Sequence, residues 1–311
     1  MARTNILIPI APGQTPSPAL DELVSFADKT GAPVRLLSVV EQFQMLGVGN
    51  ISLLDLLKRS IEEQRKQLID IASSLTDKHP KLRVHIEVLS GKPFIEIIKY
   101  ASSINASVIG LDASRSHKAS TCQYGSTTRH LMRKSDVPVW VARPCLCQGV
   151  RRIAAAVDVV SSDLEVVHLN ERIISKAKEL AEHYDAELRI CHAWKLDAEG
   201  YLRSWARYND TEIAKVAQEE EYQRRLRLEA LTERLGLSLN KVSLALPEGD
   251  AQSQIPSLVE REKVELLVMG TLCRSNLSGF IMGNTAERML DNVRCSVLTI
   301  KPEGFHSPVL E

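Results

Sequence analysis

The feature that most constrains this chain is that it repeats itself. Gly125-Ser-Thr-Thr128 returns as Gly283-Asn-Thr-Ala286, 158 residues later. Leu89-Ser-Gly-Lys-Pro93 is echoed by Leu246-Pro-Glu-Gly-Asp250, Val108-Ile-Gly-Leu111 by Val268-Met-Gly-Thr271, and Val137-Pro-Val-Trp-Val141 by Cys295-Ser-Val-Leu-Thr299. The starts, Ile6-Leu-Ile-Pro-Ile-Ala11 and Ile153-Ala-Ala-Ala-Val-Asp158, match at 147, so the second half carries an insertion of about 11 residues. A solenoid repeat runs to roughly 20–50 residues, far shorter than this one. At roughly 150 residues per domain, 311 residues make two domains, each able to bury a core. We place the first domain at 1–146, the second at 150–305 and a tail at 306–311. The Pro144–Gly149 linker is too short for free tumbling, so the halves are expected to pack on each other.

Within each half, apolar β-branched runs alternate with longer helical patterns. Strands are predicted at about 4–10, 33–40, 83–89, 106–111 and 137–142, then at 152–158, 186–193, 241–246, 264–269 and 295–301. Runs such as Leu266-Leu-Val-Met269 suit strands buried on both faces, as in a parallel sheet. Leu164–Tyr184 carries one apolar stripe at helical spacing. Thr211–Leu235 reads as a second long helix, and its Glu219-Glu220-Glu221 run as a solvated face. The alternation predicts an α/β fold of two tandem, doubly wound, five-stranded parallel-sheet domains of Rossmann-like design. Such sheets bind ligands at the carboxyl ends of their strands, where strand order reverses.

Composition narrows the function. Lys+Arg and Asp+Glu both number 39, and a neutral chain lacks the positive excess that nucleic acid or an anionic membrane would require. No apolar run approaches the roughly 20 residues that span a bilayer. The N-terminal apolar stretch is short, broken by Pro9 and followed by no small-residue cleavage site, so it reads as a strand and the protein as cytoplasmic. The six cysteines (122, 145, 147, 191, 273, 295) form no zinc or thioredoxin spacing and read as reduced thiols.

Chemistry concentrates in Val268 to Glu287, where a buried strand ends at Gly270, a polar loop follows and Gly283 opens a helix. A helix start offers unpaired N–H groups and a positive dipole end, and glycine lets a phosphate approach the main chain. Asn284 or Thr285 offers a side-chain donor, and a bare helix cap is the other reading. Other constellations fall short. A phosphoacceptor receiver has an acid at the end of its third strand, where Leu246-Pro247-Glu248 stands. Ser275 and Ser278 lie in no GxSxG elbow, and there is no GxxxxGK[ST]. His117, Cys122 and His130 match no common metal spacing, His192 reads as a satisfied core histidine, and Trp194 and Trp205 read as packing residues bordering the insertion.

This strand–loop–helix resembles the universal stress protein signature, G-x2-G-x9-G-[ST], which binds ATP in one branch of that family. Gly270 takes the first glycine and Gly283 the last, thirteen residues on; Cys273 stands at the second glycine and Asn284 at the Ser/Thr. Ala156-Val-Asp158 is similar to the family's Ala-Val-Asp, whose Asp helps hold the nucleotide, and Cys295–Pro302 to its last strand. The two-domain length, Leu169-Asn-Glu-Arg172 and Ile300-Lys-Pro-Glu-Gly-Phe305 resemble the tandem, E-type branch. The resemblance implies a candidate ligand site at Asp158, Gly270, Leu272, Cys273, Arg274, Gly283, Asn284 and Thr285, with ATP or a related nucleotide as candidate cofactor, no metal and no catalytic residue.

Departures from the pattern qualify this site. In the first half Ala11 replaces the Asp, Gly110 to Gly125 is fifteen residues, and Ala113 replaces the second glycine, so that half reads as a degenerate site. In the second, Cys273 brings a Cβ where the family's loop has none, so a nucleotide-linked or lipid-like ligand stays open. Resemblance also implies an intrachain pseudo-dimer through Val137–Ala142 and Cys295–Ile300, with further homo-association and partner proteins open. The expected function is a cytosolic stress-response protein that binds a small molecule and supports survival under stress, including DNA damage. A slow ATPase and a structural interaction protein without ligand are the alternatives.

Overall fold

Each apolar β-branched run becomes a strand, and each longer amphipathic run a helix. The computed structural model describes residues 5–41, 53–113, 124–144, 149–238, 240–271 and 283–311, with only the backbone of Leu53, Asn284 and Thr285. The chain divides into two units, Met1–Leu146 with Gly304–Glu311, and Cys147–Glu303.

The first unit runs β1 (Asn5–Pro9), α1 (Ala19–Thr30), β2 (Val34–Val40), α2 (Leu53–Lys78), β3 (Val84–Ser90), α3 (Pro93–Ser103), β4 (Ala106–Asp112), α4 (Ser126–Lys134) and β5 (Val139–Ala142). Its strands lie in the order β3-β2-β1-β4-β5, and every pairing is parallel. Ile6, Leu7 and Ile8 are fully buried, as a central strand covered on both faces requires. Helix α1 turns Leu20, Leu23, Val24 and Ala27 inward and stops at Gly31, whose φ of 68° is the left-handed conformation glycine adopts without a Cβ penalty.

The second unit runs β6 (Arg152–Ala156), α5 (Leu164–Tyr184), β7 (Glu187–Cys191), α6 (Glu199–Ser204), α7 (Asp210–Arg234), β8 (Val242–Ala245), α8 (Ala251–Arg261), β9 (Leu266–Gly270), α9 (Asn284–Asn292) and β10 (Ser296–Ile300). Its order is β10-β9-β6-β7-β8, again all parallel. The architecture is therefore two tandem doubly wound parallel sheets, as the repeat implied.

Local signals account for several helix ends. Asp163 caps α5 by accepting the Glu165 N–H at 3.0 Å, and Asn209 with Glu212 forms a reciprocal capping box at α7. The glutamate run of α7 is paired one turn on, Glu219 with Gln223, Glu220 with Arg224 and Glu221 with Arg225. Several strands are shorter than predicted, among them β5, β6, β7, β8 and β10. After β6 the Val157 N–H still donates to the Cys191 carbonyl at 3.0 Å, but the Asp158 N–H donates to Asn170 Oδ1 at 3.1 Å and the pairing stops. Beyond β7, the short helix α6 fills the insertion. Among the described residues no helix is long and apolar enough to cross a membrane.

Candidate functional site

In the first unit strand order reverses between β1 and β4. At that carboxyl edge the described residues surround a cavity of about 400 Å³. Ile10, Val39, Ile97 and Leu111 supply apolar walls; Gln64, Asp112 and Thr127 supply polar ones. The wall after β1 is fastened in place. Gln67 on α2 donates to the Gln14 carbonyl at 2.6 Å and accepts the Gly13 N–H at 3.3 Å, while Gln14 Oε1 accepts the Ala11 N–H at 3.1 Å. Gly13 has φ +71°, so the turn needs glycine there. Asp112, only 5% exposed, accepts the Ser17 N–H at 2.9 Å, which places a carboxylate beside the start of α1.

The same edge of the second unit is built from the same positions with different chemistry. Asp158 follows β6, and its Oδ1 accepts the Val160 N–H at 3.1 Å, so this carboxylate already folds its own loop. Asn170 holds that loop from α5, donating to the Asp158 carbonyl at 2.6 Å. Gly270 ends β9. Gly283 is the N-cap of α9, buried and in extended backbone, with no side chain capping the helix. Among the described residues no side chain caps the N–H groups at this start, where water or a guest can receive them. Thr271, 1% exposed, has a buried hydroxyl with no hydrogen-bond partner among the described residues. A buried polar group left so invites explanation, and it stands beside the loop that should hold a ligand.

Of the residues singled out from sequence, Asp158, Gly270, Gly283, Asn284 and Thr285 all lie at this carboxyl edge. Leu272, Cys273 and Arg274 lie outside the described residues, and of Asn284 and Thr285 only the backbone is placed. Gly270 has a packing role whatever else it does: a Cβ there would meet Leu169 Cδ2 at 2.6 Å. Thr271 was missed because a Thr at a strand end carries no motif; only its burial without a partner marks it.

The rest of Leu169-Asn-Glu-Arg172 is structural too. Glu171 pairs with Arg234 at 2.7 Å, and Arg172 donates to the Lys301 carbonyl at 2.7 Å. Lys301 is buried, and loss of hydration pulls its ammonium down to about 7. His192 is a core histidine, its Nδ1 3.0 Å from the Val157 carbonyl. Trp194 packs inside the unit, donating to the Leu246 carbonyl at 3.2 Å beneath the Arg224 guanidinium. Trp205 is a correction: it is 78% exposed because α6 buries none of its residues. His130 stacks on Phe94 at 4.4 Å, whereas His117 and Cys122 lie outside the described residues. Cys191 and Cys295 are buried free thiols, and burial pushes Cys191 up to about 12. Among the described residues no group of His, Cys, Asp and Glu is arranged to hold a metal.

Comparison with known proteins agrees with this layout. The model of the universal stress protein family matches residues 2–143 and again 150–301. Universal stress protein E of Escherichia coli K12 is 24% identical over 311 residues, covering 98% of this chain and 96% of its own. The protein of that name from Photorhabdus laumondii is 22% identical, covering 98% of this chain and 97% of its own. Among solved structures, a functionally unknown protein from Pseudomonas aeruginosa PAO1 superposes with a TM-score of 0.73 at 22% identity, over 97% of this chain and 94% of that one.

Proposed function

The chain belongs to the universal stress protein family, with one domain of that family in each half, and on that footing we propose that it is a non-catalytic cytosolic stress-response protein. In this reading it holds a nucleotide or another phosphate-bearing ligand in its second half and supports survival under stress, including DNA damage. The observation that carries the reading is the pairing, at one sheet edge, of an α9 start at Gly283 and the buried Thr271 hydroxyl, neither of which has a side-chain partner among the described residues. Anions are favoured at a helix start, and a desolvated hydroxyl gains most from a charged acceptor. In this reading Asp158, at the neighbouring strand end, takes a ribose or base edge. Among the described residues of this edge there is no nucleophile paired with a base, which is why binding is favoured over turnover.

Mass spectrometry of whatever natively purified protein releases on denaturation tests this. A nucleotide or nucleotide-linked molecule at near-stoichiometric amounts is expected. Gly283→Val should abolish its retention with the fold intact by circular dichroism, and Thr271→Val should weaken it by about tenfold. An empty protein whose melting temperature ignores ATP and other nucleotides would leave a structural interaction protein. ATP consumed at a slow, Gly283-dependent rate would instead make it an ATPase. A deletion strain complemented by wild type, but not by Gly283→Val, after DNA-damaging challenge would tie the site to survival.

A further inference from the structure

We propose that Lys92, His130 and Lys134 form an anion site on the first unit, where α3 meets α4, and that it takes a compact oligophosphate, a chain of two or three phosphates. The three side chains gather about one ring. Phe94, buried in the first turn of α3, stacks on His130 of α4 at 4.4 Å, and the Lys92 and Lys134 ammoniums each stand 5.1 Å from its centroid. The two ammoniums are therefore at most twice that distance apart, roughly the Debye length of 0.1 M salt, so each feels the other. An aromatic face attracts a cation, which accounts for one lysine there; a second adds repulsion.

No acid answers these cations. Loss of hydration draws His130 below the ordinary imidazole value, Lys134, Arg133 and Lys92 lower it further, and no carboxylate is among the groups that act on it. Its buried Nδ1 has no hydrogen-bond partner among the described residues, so none of them commits the ring to one charge state. Glu96 stands two residues after Phe94, about 200° round the helix, and its Oε1 lies over Gly91, 3.0 Å from where a Cβ would be. Asp136 and Arg133 have further interactions of their own and are left out of the count. The segments outside the described residues contain no Asp or Glu, so they bring no carboxylate here. The end of α4 is worth roughly half a negative charge, well short of two ammoniums. The fold does not require the cluster either, because Gly249, Arg288 and Asn292 hold the positions of Lys92, His130 and Lys134 in the second half. With a net charge of zero the chain offers no excess for a long polyanion, and this cluster suits a small anion with several charges in little space.

Tripolyphosphate is titrated into the full-length protein in roughly 0.1 M salt while NMR follows the His130 imidazole, identified by its loss in His130→Gln. We expect saturable binding that raises the His130 titration midpoint by about one unit, because a bound anion favours imidazolium. Binding should then tighten about tenfold as pH falls through that midpoint. Lys92→Gln combined with Lys134→Gln should weaken binding at least about tenfold and erase the midpoint shift. Lys78→Gln combined with Lys99→Gln, an equal change of charge elsewhere on α2 and α3, should do neither. A midpoint that ignores tripolyphosphate, or equal losses in the two double variants, would overturn the proposal. ATP that binds as well would make a nucleotide's phosphate tail the source, and ATP that does not would make it a free oligophosphate; both support the site. Gly283→Val should leave the His130 response intact, so this site and that of the second half can fail independently. A response lost in Gly283→Val would place the anion in the second half and refute the assignment.

Discussion

The two halves agree where they pack and differ where they face a ligand. Gly110 lies near the end of β4 and Gly270 ends β9, and each admits a leucine of the overlying helix; a Cβ would lie 2.4 Å from Leu23 and 2.6 Å from Leu169. Gly125 and Gly283 both open a helix in extended backbone without a side-chain cap among the described residues. Beyond these shared positions the rims diverge. Leu111-Asp112 stands against Thr271-Leu272, Ala11 against Asp158, and Arg143 against Lys301. Duplication has preserved the positions that let helix and sheet approach, while the residues at the sheet edge have separated in charge. The first glycine of the pattern is therefore a packing residue in both halves, and its presence says nothing about which ligand either half takes.

If that equivalence is right, damage at either glycine should be large and alike. Gly110→Ala and Gly270→Ala each force a methyl into a leucine, and overpacking of this kind costs about 2–3 kcal/mol. Urea unfolding measures it. In a double-mutant cycle, Leu23→Ala should relieve Gly110→Ala, and Leu169→Ala should relieve Gly270→Ala. A cost confined to one half would break the comparison at its base.

The fold was legible in the sequence because burial on both faces of a parallel strand leaves no room for polar alternation. Leu266-Leu-Val-Met269 and Ile6-Leu-Ile-Pro-Ile10 declare their layer with no tertiary information. The same holds for α5, whose apolar stripe and Asp163 cap mark both face and start. The site was only partly legible. The helix opening at Gly283 follows from its spacing to Gly270, but the Thr271 hydroxyl, partnerless among the described residues, and the cavity beside Asp112 arise from burial and from strands distant in sequence. Trp205 misled for the opposite reason: large aromatics are usually buried, and nothing in the sequence says that α6 has no apolar face to share.

The next difference is electrostatic. Lys301 follows β10 as Arg143 follows β5, yet burial draws the Lys301 ammonium down to about 7. That lies below the unfolded value of about 10.4. Between the two, the unfolded chain binds a proton that the folded chain lacks, so stability should rise with pH from about 7 to about 10. Below that window both states are protonated and the penalty is constant. Lys301→Met should therefore stabilise the protein by about 2 kcal/mol at neutral pH, with the gain fading toward pH 10. Arg143→Met should show no such dependence, since a guanidinium does not titrate there. Denaturant midpoints across this range compare the two, and parallel pH profiles would refute the asymmetry.

The smallest effect sharpens why the first half carries an arginine at that place. The Arg143 guanidinium lies 5.0 Å from the centroid of the buried Tyr124 ring, immediately before Gly125 and the start of α4. Its planar cation spreads over an aromatic face, an arrangement a compact, strongly hydrated ammonium fits less well. Arg143→Lys should therefore cost about 0.5–1 kcal/mol, and the cost should disappear in a Tyr124→Leu background. A full cost in that background would place the role of Arg143 in its other interactions and would leave the stacked pair as a consequence of the helix start, not a support for it.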